Sequence, residues 1–167
     1  YPMLLNRFGQ LRQTRAVEFH ATDVIVGGFP YNVMTIWFRK AITDIPLIEY
    51  AAAKMKPMVI STGIAQIDDI ELAIETCRRV GNNDVTLLKC TSSYPAPIEE
   101  ANLCMIKEMA ERFGVKTGLS DHTMGSIAPI VAITQGATMI EKHFILDRSI
   151  GGPDASFSMN EQEFTQM

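Results

Sequence analysis

From Ile42 to the end of the chain, short apolar runs alternate with amphipathic stretches, and this alternation constrains the fold more than any other feature. Pro57 to Ser61, Val85 to Cys90, Lys116 to Ser120 and Thr138 to Glu141 are short runs rich in apolar or β-branched residues, and they read as buried strands. Asp44 to Lys54 reads as a short helix with Pro46 in its first turn. Ile67, Ile70, Ile74 and Cys77 recur three or four apart, as do Leu103, Ile106, Met109 and Phe113, and Gly114 fits a C′ cap. Ser126 to Gln135 is a helix that is apolar almost all round, stopped by Gly136. Strand–helix units repeating about every 26 residues imply a parallel sheet covered on both faces. A closed (β/α)8 barrel and an open doubly wound sheet both fit. A barrel takes ~250 residues, so 167 residues supply only about half of one. Half a barrel leaves an apolar inner wall and two sheet edges open, which predicts association.

Upstream of Ile42 the texture changes. Residues 1–41 hold five basic side chains (Arg7, Arg12, Arg15, Arg39, Lys40) against Glu18 and Asp23, a net of +3, whereas the rest of the chain nets −7. Within this segment only Val24-Ile25-Val26 and Val33 to Phe38 read as strands, with a turn at Pro30-Tyr31-Asn32. The whole chain is 47% hydrophobic with a net charge of −4, which excludes disorder. No run approaches the ~20 apolar residues of a membrane-spanning helix, and the start does not read as a signal peptide. The acidic balance argues against a nucleic-acid partner. Cys77, Cys90 and Cys104 lack metal-type spacing and read as reduced, mostly buried thiols of a cytoplasmic protein.

In parallel α/β folds, ligands bind at the carboxyl ends of the strands. Here each strand ends in polar residues: Ser61-Thr62-Gly63, Lys89 through Tyr94, Ser120-Asp121-His122-Thr123 and Glu141-Lys142-His143. Thr62 and Thr123, taken singly, read as helix caps. His122 and His143 fall at the ends of adjacent strands ~4.8 Å apart, where side chains at matching heights reach one divalent ion. Alternation puts Ser120 on the side of His122 and Glu141 on the side of His143. Two imidazoles with nearby oxygens and water suit Mn²⁺, Zn²⁺ or Fe²⁺ better than Ca²⁺; the alternative is that each is a satisfied structural histidine. His20 carries no assignment. Lys142 is turned away from the histidine side, toward the helix layer or the rim where lysines snorkel. Tyr94-Pro95-Ala96-Pro97 is a stiff connector whose tyrosine lines the site. Asp154, after Gly151-Gly152-Pro153, reads first as a turn residue and second as a substrate carboxylate. Glu108 and Arg112 form an i,i+4 surface pair.

The stretches Ile42 to Leu47, Ile60 to Gly63, Leu87 to Pro97, Gly118 to Thr123, Ile140 to Phe144 and Asp147 through Ser158 resemble the sialic acid synthase family, most closely its pseudaminic acid synthase branch. Ser92, where the N-acetylneuraminate branch usually has Asn, and the Gly151-Gly152 pair favour that branch. The resemblance implies the C-terminal half of a (β/α)8 barrel over residues 42–167, preceded by an unmatched, aberrant segment over 1–41 and lacking the family's antifreeze-like C-terminal domain. It implies a transferase of carbohydrate biosynthesis, in which phosphoenolpyruvate condenses with an N-acylated amino sugar, open as its aldehyde, to a nine-carbon keto acid with release of phosphate. It implies Mn²⁺ or Mg²⁺ held by His122 and His143, phosphoenolpyruvate held by Ser61 and Ser120, and the sugar held by Tyr94 and Asp154. Homodimers are the family's full-length state. The family's Lys-x-Ala-Ser-Phe-Glu segment aligns its Lys, Ser and Glu with Ile36, Arg39 and Ala41, none of which is kept. The alternatives are an N-acetylneuraminate synthase and a non-catalytic half-barrel remnant.

Overall fold

The computed structural model describes residues 23–26, 34–36 and 41–167. His20 and the turn expected at residues 30–32 lie outside these residues. Six strands form one sheet: β1 (Asp23–Val26), β2 (Met34–Ile36), β3 (Met58–Ser61), β4 (Val85–Cys90), β5 (Lys116–Asp121) and β6 (Ile140–His143), in the spatial order β1-β6-β5-β4-β3-β2. The run from β2 to β6 is parallel throughout. β1 departs from the all-parallel expectation, because it pairs antiparallel with β6, Asp23 facing His143.

The helices are α1 (Ile45–Ala52), α2 (Ile67–Arg79), α3 (Met105–Phe113), α4 (Ile127–Thr134) and α5 (Glu161–Gln166). Of these, α2 and α3 follow the apolar periods of the sequence, and α5, which the sequence reading did not foresee, opens on the Asn160–Glu163 capping box. Asp44 caps α1, its carboxylate accepting from the Leu47 N–H at 3.1 Å. Gly114 ends α3 in the left-handed region at φ 62°, as its position predicts. β6 begins two residues later than the apolar run suggests. Both the N–H and the hydroxyl of Thr138 donate to the carbonyl of Thr117, at 2.8 and 3.0 Å, so Thr138 ties the turn and pairing starts at Ile140. The shift makes His143 the last residue of the strand.

Strand alternation gives the sheet two faces. On one, Met58, Ile60, Val85 and Leu87 pack against Ile48, Ala52, Ile70, Ile74 and Cys77 of α1 and α2. Leu119 and Ile140 continue this face against Ile106, Ala128 and Ala132. On the other face Val59, Leu88 and Met139 form a smaller cluster. The apolar inner wall expected to lie open is closed at these three residues, none of which is more than 1% exposed. The two edges of the sheet are β1 and β2. Gly118 permits the close contact between strands. A Cβ there would lie 2.3 Å from the carbonyl oxygen of Met139 and 2.8 Å from Leu88 Cδ2. Gly118→Ala therefore forces strand backbone apart, and its expected cost is ~2–3 kcal/mol in chemical denaturation, at the upper end for overpacked cores. An unchanged midpoint would contradict this packing.

Candidate active site

The carboxyl ends of β5 and β6 carry the chemistry. The parallel register sets Ser120 beside Glu141 and Asp121 beside Lys142, so the next row is His122 beside His143. The imidazole centroids are 5.2 Å apart and the rings lie edge to face. Ser120 Oγ donates to Glu141 Oε1 at 2.5 Å one row below. Alternation places Ser120 with His122 and Glu141 with His143; the register then brings the two strands' groups together. Tyr94 lies against them, its ring centroid 4.2 Å from that of His122 and 6.1 Å from that of His143. Asp154 brings Oδ2 to 3.6 Å from His143 Nδ1, which takes it out of a purely turn role. Ser61 ends β3, two strands from β5 and so ~10 Å across the sheet. Its hydroxyl is buried and has no hydrogen-bond partner. The structure thus gathers His122, His143, Tyr94 and Asp154, pairs Ser120 with Glu141, and leaves Ser61 apart.

Both imidazoles are neutral at pH 7. Burial holds the His122 ring below its ordinary value. Burial and the neighbouring His122 push His143 down to about 4. His122 Nδ1 lies 2.9 Å from the carbonyl oxygen of Thr91. A carbonyl only accepts, so Nδ1 carries the proton and Nε2 keeps its lone pair. At 3.6 Å the Asp154 carboxylate lies too far from His143 Nδ1 for a hydrogen bond and sets no tautomer there. With metal–nitrogen bonds of ~2.1 Å, two imidazoles on neighbouring positions of one ion have centroids ~5 Å apart, which the observed spacing matches. Among the described residues no group of three or more His, Cys, Asp or Glu could hold a metal. The pair therefore offers two nitrogen ligands, not a closed cage.

Lys142 is turned from the histidine side as expected, but it does not snorkel. Its ammonium is buried, donates to Asp121 Oδ2 at 2.5 Å and to the carbonyl of Thr123 at 2.8 Å, and has a side chain 1% exposed. Asp121 Oδ1 accepts from the Thr123 N–H at 2.9 Å. An internal carboxylate on the neighbouring strand makes burial affordable where solvent would otherwise be needed. The cap readings also fail. Thr62 donates across to the carbonyl of Leu88 at 3.0 Å, and the Thr123 hydroxyl is buried without a partner. Arg112 reaches Glu71 on α2 at 3.6 Å instead of Glu108 on its own helix. All three cysteines are free, with Cys77 buried and Cys104 exposed.

Sequence reasoning missed three contributors. The Thr91 carbonyl sets a tautomer, yet a backbone atom leaves no residue-type signal. Phe157 is buried with its ring 4.9 Å from that of His143, and only its place after Asp154 hinted at it. Asp121 was passed over because its partner is 21 residues away.

Two predictions follow from these contacts. Lys142→Met strands a buried carboxylate and costs ~3–5 kcal/mol, whereas adding Asp121→Asn recovers most of the loss; equilibrium denaturation of both variants checks this. Between pH 6.5 and about 4 the unfolded His143 takes up a proton that the folded ring refuses. Unfolding then binds protons, and stability falls as the pH drops through that window. His143→Asn flattens the fall, read as melting temperature against pH.

The model of the NeuB family matches residues 39–167. Pseudaminic acid synthase of Helicobacter pylori is 55% identical over 126 residues, 75% of this chain and 37% of that protein. The crystal structure of the spore coat polysaccharide biosynthesis protein SpsE of Bacillus subtilis superposes with a TM-score of 0.74 at 37% identity, covering 80% of this chain and 37% of its own. That of the N-acetylneuraminic acid (sialic acid) synthetase of Leptospira borgpetersenii, in complex with citrate, gives 0.73 at 31% identity, covering 80% and 46%. The chain thus spans less than half the length of each of these relatives. With the strand-end histidines in place and the family model matching most of its length, the chain belongs to the NeuB family.

Proposed function

We propose that this chain carries the C-terminal half of the active site of a (β/α)8 nonulosonic acid synthase of the pseudaminic type, which condenses phosphoenolpyruvate with the aldehyde of an N-acylated amino sugar and releases phosphate. The observation that carries it is the His122–His143 pair at adjacent strand ends, set in a stretch 55% identical to a pseudaminic acid synthase.

The roles follow from the contacts. Neutral His122 and His143 would hold Mn²⁺ or Mg²⁺ through Nε2, with water and substrate completing the shell. A bound ion supplies Lewis acidity at the sugar aldehyde and orders a water. Ser61 offers phosphoenolpyruvate a buried hydroxyl that no protein group engages. Ser120 donates to Glu141, so it serves the anion by rotating its hydroxyl away from that carboxylate. Tyr94, half exposed beside His122, presents a ring face and a phenol to the sugar. Asp154, 3.6 Å from His143, accepts from sugar hydroxyls. The new bond runs from C3 of phosphoenolpyruvate to the aldehyde carbon; water adds at C2 and phosphate leaves.

A second reading is a non-catalytic half-barrel. Ile36, Arg39 and Ala41 stand where the resemblance calls for Lys, Ser and Glu, which removes a cation for the phosphate. The choice of the pseudaminic type of sugar rests on the sequence at Ser92 and Gly151-Gly152, with N-acetylneuraminate synthesis as the alternative. Calorimetry with Mn²⁺ on the chain and on the His122→Ala, His143→Ala double variant tests the site. Binding in the first and loss of at least tenfold in the second is expected. Phosphate release from phosphoenolpyruvate plus the amino sugar then separates synthase from remnant. Absence of Mn²⁺ and Mg²⁺ binding by the unmutated chain sinks the metal assignment.

A further inference from the structure

A cavity of about 220 Å³ opens between α2 and α3, beside the ends of β3 and β4. None of the residues that gather at the histidine pair lines it. Ile67 and Ile70 of α2 and Met105 and Met109 of α3 make its apolar walls. Lys89, the penultimate residue of β4, supplies its inner charge. The other charged groups on the lining are Glu108 and Arg112, and Arg112 is already paired with Glu71.

Lys89 is half-buried, and among the described residues no carboxylate pairs with it. Its Nζ donates to a neutral hydroxyl, Thr91 Oγ1, at 2.6 Å. An ammonium has three donors, so the cavity holds a cation short of acceptors. Desolvation accordingly pushes the Lys89 pKa down. A partly desolvated cation at one end of an apolar cavity matches an anion with an apolar body. One inner cation and the Glu108 carboxylate on the lining favour a single negative charge over a phosphate dianion, which demands several donors. The volume lies below the ~300 Å³ of the smallest drug-sized sites, which limits the ligand to a small acid.

We propose that this cavity is a binding site for a small monocarboxylate with a branched apolar tail, its carboxylate on Lys89 and its tail between Ile67, Ile70, Met105 and Met109. The site reaches the histidine pair through two consecutive residues: Cys90, which lines the cavity and brings Sγ to 3.8 Å from His122 Nδ1, and Thr91. Thr91 accepts from Lys89 at its hydroxyl and from His122 Nδ1 at its carbonyl. A ligand that draws the ammonium away from Thr91 alters the support of the His122 ring, which makes the cavity an effector site for the strand-end chemistry. This inference does not depend on the synthase reading.

The test is NMR titration of the full chain, labelled at methionine methyl groups and histidine rings, with 4-methylpentanoate and with its neutral amide as the probes. Saturable shifts of the Met105 and Met109 methyls at millimolar acid are expected, the weak end of small-ligand affinity. The amide should bind at least tenfold more weakly, Lys89→Met and Lys89→Gln should lose the acid to the same extent, and His122→Ala should retain it. Equal binding of acid and amide, retained binding in the Lys89 variants, or no saturation overturns the site. The comparison of acid with amide needs no variant, so it decides the matter even where a substitution disturbs the fold. A His122 ring signal that stays still while the cavity fills overturns the link to the histidines.

Discussion

The register of β5 on β6 is the constraint from which the rest of the site follows. Pairing Ser120 with Glu141 and Asp121 with Lys142 decides both faces of the sheet at once. On one face it stacks the serine–glutamate hydrogen bond beneath the two imidazoles. On the other it closes a buried ion pair beneath the helices. A slip of β6 by one residue would exchange its faces, sending His143 into the helix layer and parting Lys142 from its carboxylate. A buried ion pair contributes little net stability compared with apolar packing; its effect here is to penalise every other register. Gly118 acts in the same direction by letting Leu88 and Met139 meet across the strand between them.

The electrostatic character of the site comes from burial. Two imidazoles, each partly desolvated and each close to the other, resist protonation. The His122 ring, its Nδ1 committed to the Thr91 carbonyl, keeps its lone pair on Nε2, the state in which imidazole binds a cation. Tyr94 and Phe157 enclose the pair from the loops. The same loop that carries Tyr94 begins at Thr91, whose two oxygens contact His122 and Lys89. One short segment therefore joins the histidine site to the cavity between α2 and α3.

Residues whose fate depended on period alone were legible. The helical faces of α2 and α3, the cap position of Gly114, and the shared side of Ser120 with His122 all follow from local spacing. Residues whose fate depended on a distant partner were not. Lys142 looked like a rim lysine until Asp121 lay beside it. Thr62 and Thr123 looked like caps because cap preference is local, whereas the Thr62 hydroxyl meets a carbonyl 26 residues away. Arg112 looked paired within its helix, and Glu71 on the next helix claimed it. The turn tied by Thr138 moved the start of β6 for the same reason.

The sequence alone determined the strand–helix alternation, the side each strand residue takes, and hence that two histidines would share one face near the carboxyl end. These follow from the 2.0 and 3.6 periods of backbone geometry, which act between near neighbours. Only the tertiary structure decided which groups satisfy one another. The tautomer of His122, the burial of Lys142, the seating of Asp154 on His143 and the apolar cavity around Lys89 each require atoms from separate elements to converge. A buried polar group is stable only beside its partner, and that partner is set by strand order and packing, which a period cannot encode.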